Sequence, residues 1–159
     1  MLLVFAGLAV VVLDQAVKLW VVRNIALGSA ERPLIPGVLS LTRVHNDGAA
    51  FSFLSGGNAK WFFIVLSLVF AAAVVAAVST GFIRDKTEKL CLVMMAAGGL
   101  ANCIDRLVYG YVVDMFKVEL FDFAVFNTAD SFITVFTFIF AAKLLFSDDD
   151  KPKTEKVGG

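Results

Sequence analysis

The chain has 159 residues, 59% of them hydrophobic, with a mean hydropathy of +0.84 and no formal net charge. That is more apolar surface than a domain of this size can bury in water, so an ordinary soluble domain is excluded and a membrane protein is expected. Neutrality argues against nucleic acid as a partner, and two cysteines, Cys91 and Cys103, are too few for a disulfide framework and read as inert buried thiols.

The N-terminal stretch MLLVFAGLAVVVLDQ has the apolar run of a signal peptide. It lacks a basic segment before the run and a small-x-small cleavage site after it, so it reads as a retained first span over about residues 2–22. Asp14 and Lys18 interrupt this span four residues apart, the spacing of an ion pair on one helix face. In the loop that follows, GVLSLTRVHNDGAAFSF alternates Val38, Ser40, Thr42 and Val44 against Leu39, Leu41 and Arg43, the period of a short strand. HNDGAAF then supplies residues that tolerate positive φ, and Ser55–Gly57 reads as a turn before the second span, residues 61–80.

The third span covers about residues 90–107. Its Gly98–Gly99 pair allows close helix packing, and Asn102 can bond another helix, the backbone or a substrate. Asp105 and Arg106 lie at its end, where Arg106 can snorkel to the interface. YVVDMFKVELFDFAVF is a second extended candidate, and the fourth span covers residues 127–146. The tail, residues 147–159, is charged and expected to be disordered. No internal repeat is visible. The expected fold is an all-α polytopic membrane protein of four transmembrane helices with a small extracytoplasmic β-rich cap.

Basic residues set the expected orientation. Arg84, Lys86 and Lys89 crowd one short loop and Lys143, Lys151, Lys153 and Lys156 the C-terminal region, whereas Arg23, Arg32 and Arg43 are spread over a long loop and Lys117 stands alone. Both termini are therefore expected in the cytoplasm. Asp14, Lys18, Asn46, Asn102, Asp105, Arg106, Asp114, Asn127 and Asp130 then gather near the outer face, and the middle of the bilayer is left almost bare.

Taken singly, Asp114 reads as a solvated loop aspartate, and Asp130 as the third residue of a capping box begun by Asn127. As a pair they can do chemistry. Two close carboxylates share one proton near neutral pH; the ionised one draws a proton from water, and the protonated one bonds the developing oxyanion. Rival chemistries lack their residues. His45 is the only histidine, there is no H-E-x-x-H or G-x-S-x-G motif, no serine is tied by spacing to Lys18, and no Gly-rich phosphate loop appears. An ion-coupled transporter would place its acids nearer the midplane, in repeats or broken helices. A non-catalytic scaffold would tolerate neutral replacement of both aspartates.

LDQAVK (13–18), HNDGAAF (45–51), GGLANCIDR (98–106), GYVVDM (110–115) and FNTADS (126–131) occur in this order, and together they resemble the lipoprotein signal peptidases, or signal peptidase II, over nearly the whole chain. The resemblance implies a single membrane-embedded peptidase domain over residues 1–146 in the bacterial inner membrane. It implies a membrane aspartic endopeptidase that cuts prolipoproteins before a diacylglyceryl-modified cysteine, with Asp114 and Asp130 catalytic. Asn46, Asn102, Arg106 and Asn127 fall on its substrate-binding positions, and Asp14, Lys18 and Asp105 on architectural ones. It implies a lipidated substrate and membrane lipid as partners; no cofactor, metal or nucleic acid is expected, and a monomer is the simplest expectation. Ala101 and Met115 depart from the family's usual glycine and phenylalanine.

Overall fold

A computed structural model of the chain describes residues 1–48 and 58–146. The end of HNDGAAF, the Ser55–Gly57 turn and the tail, residues 147–159, lie outside the described residues. Helices α1 (Leu2–Asn24), α2 (Asn58–Ser79), α3 (Lys86–Val108) and α4 (Thr128–Phe146) are each long and apolar enough to cross a membrane. The shortest, at 19 residues, still spans about 28 Å at the usual helical rise.

Small residues decide which helix lies in the middle. Ala96, Ala97, Gly98 and Ala101 are buried on α3, and α1, α2 and α4 all pack against it. A Cβ on Gly98 would come within 2.8 Å of both the Ala129 carbonyl oxygen and Ile133 Cγ1, so only glycine permits this approach of α4. Gly99 differs: a Cβ there would meet Ser67 Oγ at 3.6 Å, an ordinary contact. Of the two glycines expected to permit close packing, Gly98 alone does so. α3 also begins four residues before the apolar pattern suggests. The Asp85 carboxylate accepts from Thr87 N and Glu88 N at 2.8 and 3.0 Å, capping a charged first turn that hydropathy does not register.

Three antiparallel strands, β1 (Arg32–Ile35), β2 (Leu39–Asn46) and β3 (Val112–Val118), form a sheet in the order β1-β2-β3. β2 and β3 lie on the two segments expected to be extended. β1 was not expected; all four of its residues are exposed, so it shows no alternation. Its link to β2 is a turn in which Val38 N donates to Ile35 O at 3.0 Å, with Pro36 and Gly37 (φ 72°) between them. That is the chemistry of a type II turn. Val21 of α1 and its C-cap residue Ile25 clamp the sheet to the bundle by packing on Val113 and Met115 of β3. Met115 is wholly buried there, so its departure from phenylalanine keeps an apolar contact.

A β-bridge between Phe116 and Phe126, with paired backbone bonds of 2.8 and 3.0 Å, folds the chain back before α4. It carries Asn127 to the flank of β3. Because β1 follows α1 and β3 follows α3, the sheet lies at the end of the bundle where those two helices finish.

Candidate active site

Asp114 stands in the middle of β3 and is 1% exposed. Val44 is its neighbour across the β2–β3 ladder, which puts Asn46 on the diagonal of the same face. Asn46 Nδ2 donates to Asp114 Oδ2 at 2.9 Å, while Asn46 Oδ1 accepts from Gly48 N at 2.9 Å. Gly48 holds φ +85° here, the left-handed region that an Asn-Asp-Gly turn needs. Asn127 Nδ2 donates to the other oxygen, Asp114 Oδ1, at 2.7 Å.

Asp130 opens α4 in a reciprocal cap. Its backbone N donates to Asn127 Oδ1 at 2.9 Å, and its Oδ2 accepts from Asn127 N at 3.2 Å. The capping geometry expected of this aspartate is therefore present, and it leaves Oδ1 to accept from Asn102 Nδ2 at 2.8 Å. Asn127 touches both carboxylates, since its side chain serves Asp114 and its backbone serves Asp130. A third bond, Asn127 Nδ2 to Asn102 Oδ1 at 3.0 Å, closes the lattice.

Obligate donors settle how the three amides point. Gly48 N–H, Asp130 N–H and the Lys18 ammonium can only donate, so each fixes an amide oxygen toward itself and turns the NH₂ toward a carboxylate. Every carboxylate oxygen of the pair thus receives one N–H. Arg106 lies over the Phe63 ring at 4.7 Å and donates to Asn102 O at 3.4 Å. The structure therefore gathers seven of the sequence-derived residues in one place: Asn46, Asn102, Arg106, Asp114, Asn127, Asp130 and, through Asn102, Lys18. Asp14 and Asp105 sit one bond further out, each on the Lys18 ammonium at 2.8 and 2.9 Å.

With this geometry in view, the sequence profile described as Signal peptidase (SPase) II matches residues 6–146. The chain belongs to the signal peptidase II family. Lipoprotein signal peptidases of Streptococcus pyogenes serotypes M2 and M5 are each 41% identical over 134 residues, covering 84% of this chain and 86% of their own. A bacterial membrane enzyme solved by the in meso method at 2.3 Å superposes with a TM-score of 0.81 at 30% identity, covering 96% of this chain and 93% of that one. A second such structure, at 1.9 Å, gives 0.80 at 30% identity over 91% and 93%. The four-helix architecture with its small sheet is therefore that of a known membrane enzyme.

Electrostatics in this signal peptidase II follow from burial. Desolvation pushes the Asp114 carboxyl up to about 6, against the pull of the Asn46 and Asn127 amides and with a further push from Asp130. His45 is held below its ordinary value by burial and by Arg43. As a neutral ring it stacks on Tyr111 at 3.8 Å between centroids and accepts from Arg43 Nη2 at 3.3 Å. Lys117, the cation nearest Asp114 in sequence, pairs instead with Glu31.

Sequence reasoning missed Gln15. Its Nε2 donates to Asp105 Oδ1 at 2.7 Å and to Ala101 O at 3.3 Å, joining α1 to α3. Its position between Asp14 and Lys18 was the available signal, but only the packing of α1 on α3 shows what it meets. Among the described residues, no group of three or more His, Cys, Asp and Glu side chains is placed to hold a metal ion.

Proposed function

We propose that this signal peptidase II is a membrane aspartic endopeptidase that removes the signal peptide of prolipoproteins, cleaving just before the diacylglyceryl-modified cysteine. The observation that carries the reading is the placement of Asp114 and Asp130 on the two sides of Asn127, with one N–H donor on each of their four oxygens. Such donors orient both carboxylates while leaving lone pairs to accept from a water and to carry the shared proton that is donated to a scissile carbonyl.

Asp114, with its proton affinity raised to about 6, suits a pair that shares one proton near neutrality, and the titration belongs to the pair rather than to either member. The ionised carboxylate takes a proton from a water molecule as its oxygen attacks the peptide carbonyl. The protonated carboxyl donates to the oxyanion, and the roles reverse as the C–N bond breaks and the amine leaves protonated. Asp130 is half-buried and Asn46 exposed, so a peptide can approach from that side, while Arg106 stands over Phe63 beside it. The relatives' name, lipoprotein signal peptidase, supports the substrate class. The site lies at the sheet end of the bundle, and the Lys and Arg bias puts that end on the extracytoplasmic side of a bacterial inner membrane.

Purified enzyme in detergent, given a diacylglyceryl-modified prolipoprotein, is expected to release a product whose new N-terminus is the modified cysteine, identified by mass spectrometry. The unlipidated precursor is expected to be cut far more slowly. Cleavage elsewhere, or no cleavage of the lipidated form by folded enzyme, would sink the proposal.

A further inference from the structure

Lys18 is 3% exposed and uses all three of its N–H donors, on Asp14 Oδ2 at 2.8 Å, Asp105 Oδ2 at 2.9 Å and Asn102 Oδ1 at 2.8 Å. The second oxygen of Asp14 accepts from Ala129 N at 2.8 Å, and Asp105 Oδ2 accepts from Val113 N at 3.2 Å. Ala129 is the residue before Asp130, and Val113 is the residue before Asp114. One ammonium thus holds two carboxylates, each of which grips the backbone immediately ahead of one member of the catalytic pair. Its third bond orients the amide that serves Asp130. Asp14 and Asp105 are 0% and 1% exposed, so two carboxyl groups are buried beside a single lysine. Burying such a polar cluster is a poor way to stabilise a fold, which is better served by apolar packing.

We propose that Lys18, with Asp14 and Asp105, is a positioning device that sets the separation and mutual orientation of Asp114 and Asp130. It acts through the Val113 and Ala129 amides and through Asn102, and it touches no reacting atom. The inference rests on the catalytic reading of the two aspartates. It goes beyond an architectural role because Asp14 of α1 and Asp105 of α3 each grip one of those two backbone positions, and Lys18 ties the two carboxylates together.

A cavity of about 210 Å³, lined by Gln15, Lys18, Asp105, Tyr109 and Tyr111 among others, borders the Lys18 side chain and gives a direct test. In Lys18→Ala the missing atoms are those of propylammonium. With full-length enzyme in detergent and lipidated prolipoprotein, kcat is expected to fall about 100-fold, as for a misplaced catalytic group, with KM within about three-fold. Propylammonium is expected to restore kcat at least about ten-fold, while 1-propanol, with one O–H in place of three N–H donors, restores none. A kcat within about three-fold of wild type, or a loss confined to KM, overturns the proposal.

If Lys18→Ala does not fold or is not rescued, Asp105→Asn and Asp105→Leu decide. Both remove the charge, but only Asn keeps an acceptor for Val113 N, so its kcat must exceed that of the Leu variant at least about ten-fold at similar KM. Equal values overturn the proposal. Wild type and Asp114→Asn run alongside. An inactive wild type or an active Asp114→Asn rejects the catalytic reading and the device with it. An active wild type, an inactive Asp114→Asn and a fully active Lys18→Ala reject the device alone.

Discussion

Burying Asp114 at 1% exposure moves its carboxyl from 3.8 to about 6, and desolvation leads the causes. The folded state therefore holds this proton more tightly than the unfolded chain. The stability it contributes is fully present below about 3.8 and is lost as pH rises through about 6. Relative to Asp114→Asn, wild type is expected to lose about 2 kcal/mol between pH 4 and 7, at 1.36 kcal/mol per pKa unit. Denaturation of both proteins in detergent across that range measures it; parallel curves would show that the carboxyl titrates normally. The same residue shows what sequence can reveal at this scale. Residue types named Asp114 and Asp130 as acids with no cation within four residues except Lys117, and capping rules anticipated the Asn127–Asp130 exchange. The three amides that direct N–H groups at them depend on contacts between residues up to 84 positions apart, as in Lys18 to Asn102. No local pattern encodes such contacts.

Among the elements, the contact of α3 with α4 bears on the site most directly. Gly98 lies one turn before Asn102, and Ala129, whose carbonyl it meets, adjoins Asp130. In Gly98→Ala, a Cβ at 2.8 Å from a backbone oxygen must push the helices apart, at a cost of about 1–3 kcal/mol. That variant is expected to lose stability, and activity more than proportionately, because the Asn102–Asp130 bond crosses the same seam. Gly99→Ala, with 3.6 Å available, is expected to match wild type in both. Melting curves and cleavage rates of the two variants check this, and equal behaviour would contradict it. The helices were legible because each is a long apolar run, and β2 and β3 because they read as extended. β1 was not, since an edge strand exposed along its whole length leaves no period. The start of α3 was missed because Asp85 caps a charged turn.

At the scale of the whole molecule, the buried polar groups lie together at the sheet end of an otherwise apolar bundle. The proposal that this end faces the extracytoplasmic side rests on the crowding of Arg84, Lys86 and Lys89 between α2 and α3. Both native cysteines are buried and free, which provides a quiet background for single cysteines introduced at Phe82 and at Leu120, both exposed. A membrane-impermeant maleimide added to intact cells is expected to label the second and spare the first; the reverse pattern would invert the topology. The lipid-anchored substrate proposed above would suit this arrangement, its acyl chains staying in the bilayer while the bond to be cut meets water at the rim.

The most direct test of the paired carboxylates is the single-turnover cleavage rate of lipidated prolipoprotein by Asp114→Asn, Asp130→Asn and the double variant, each verified as folded. Each single variant is expected to be slower by at least about 1,000-fold, and the double variant no slower than the singles, because groups that act as one unit are not additive. A single variant within about ten-fold of wild type, or losses that multiply in the double variant, would contradict a pair that activates one water together.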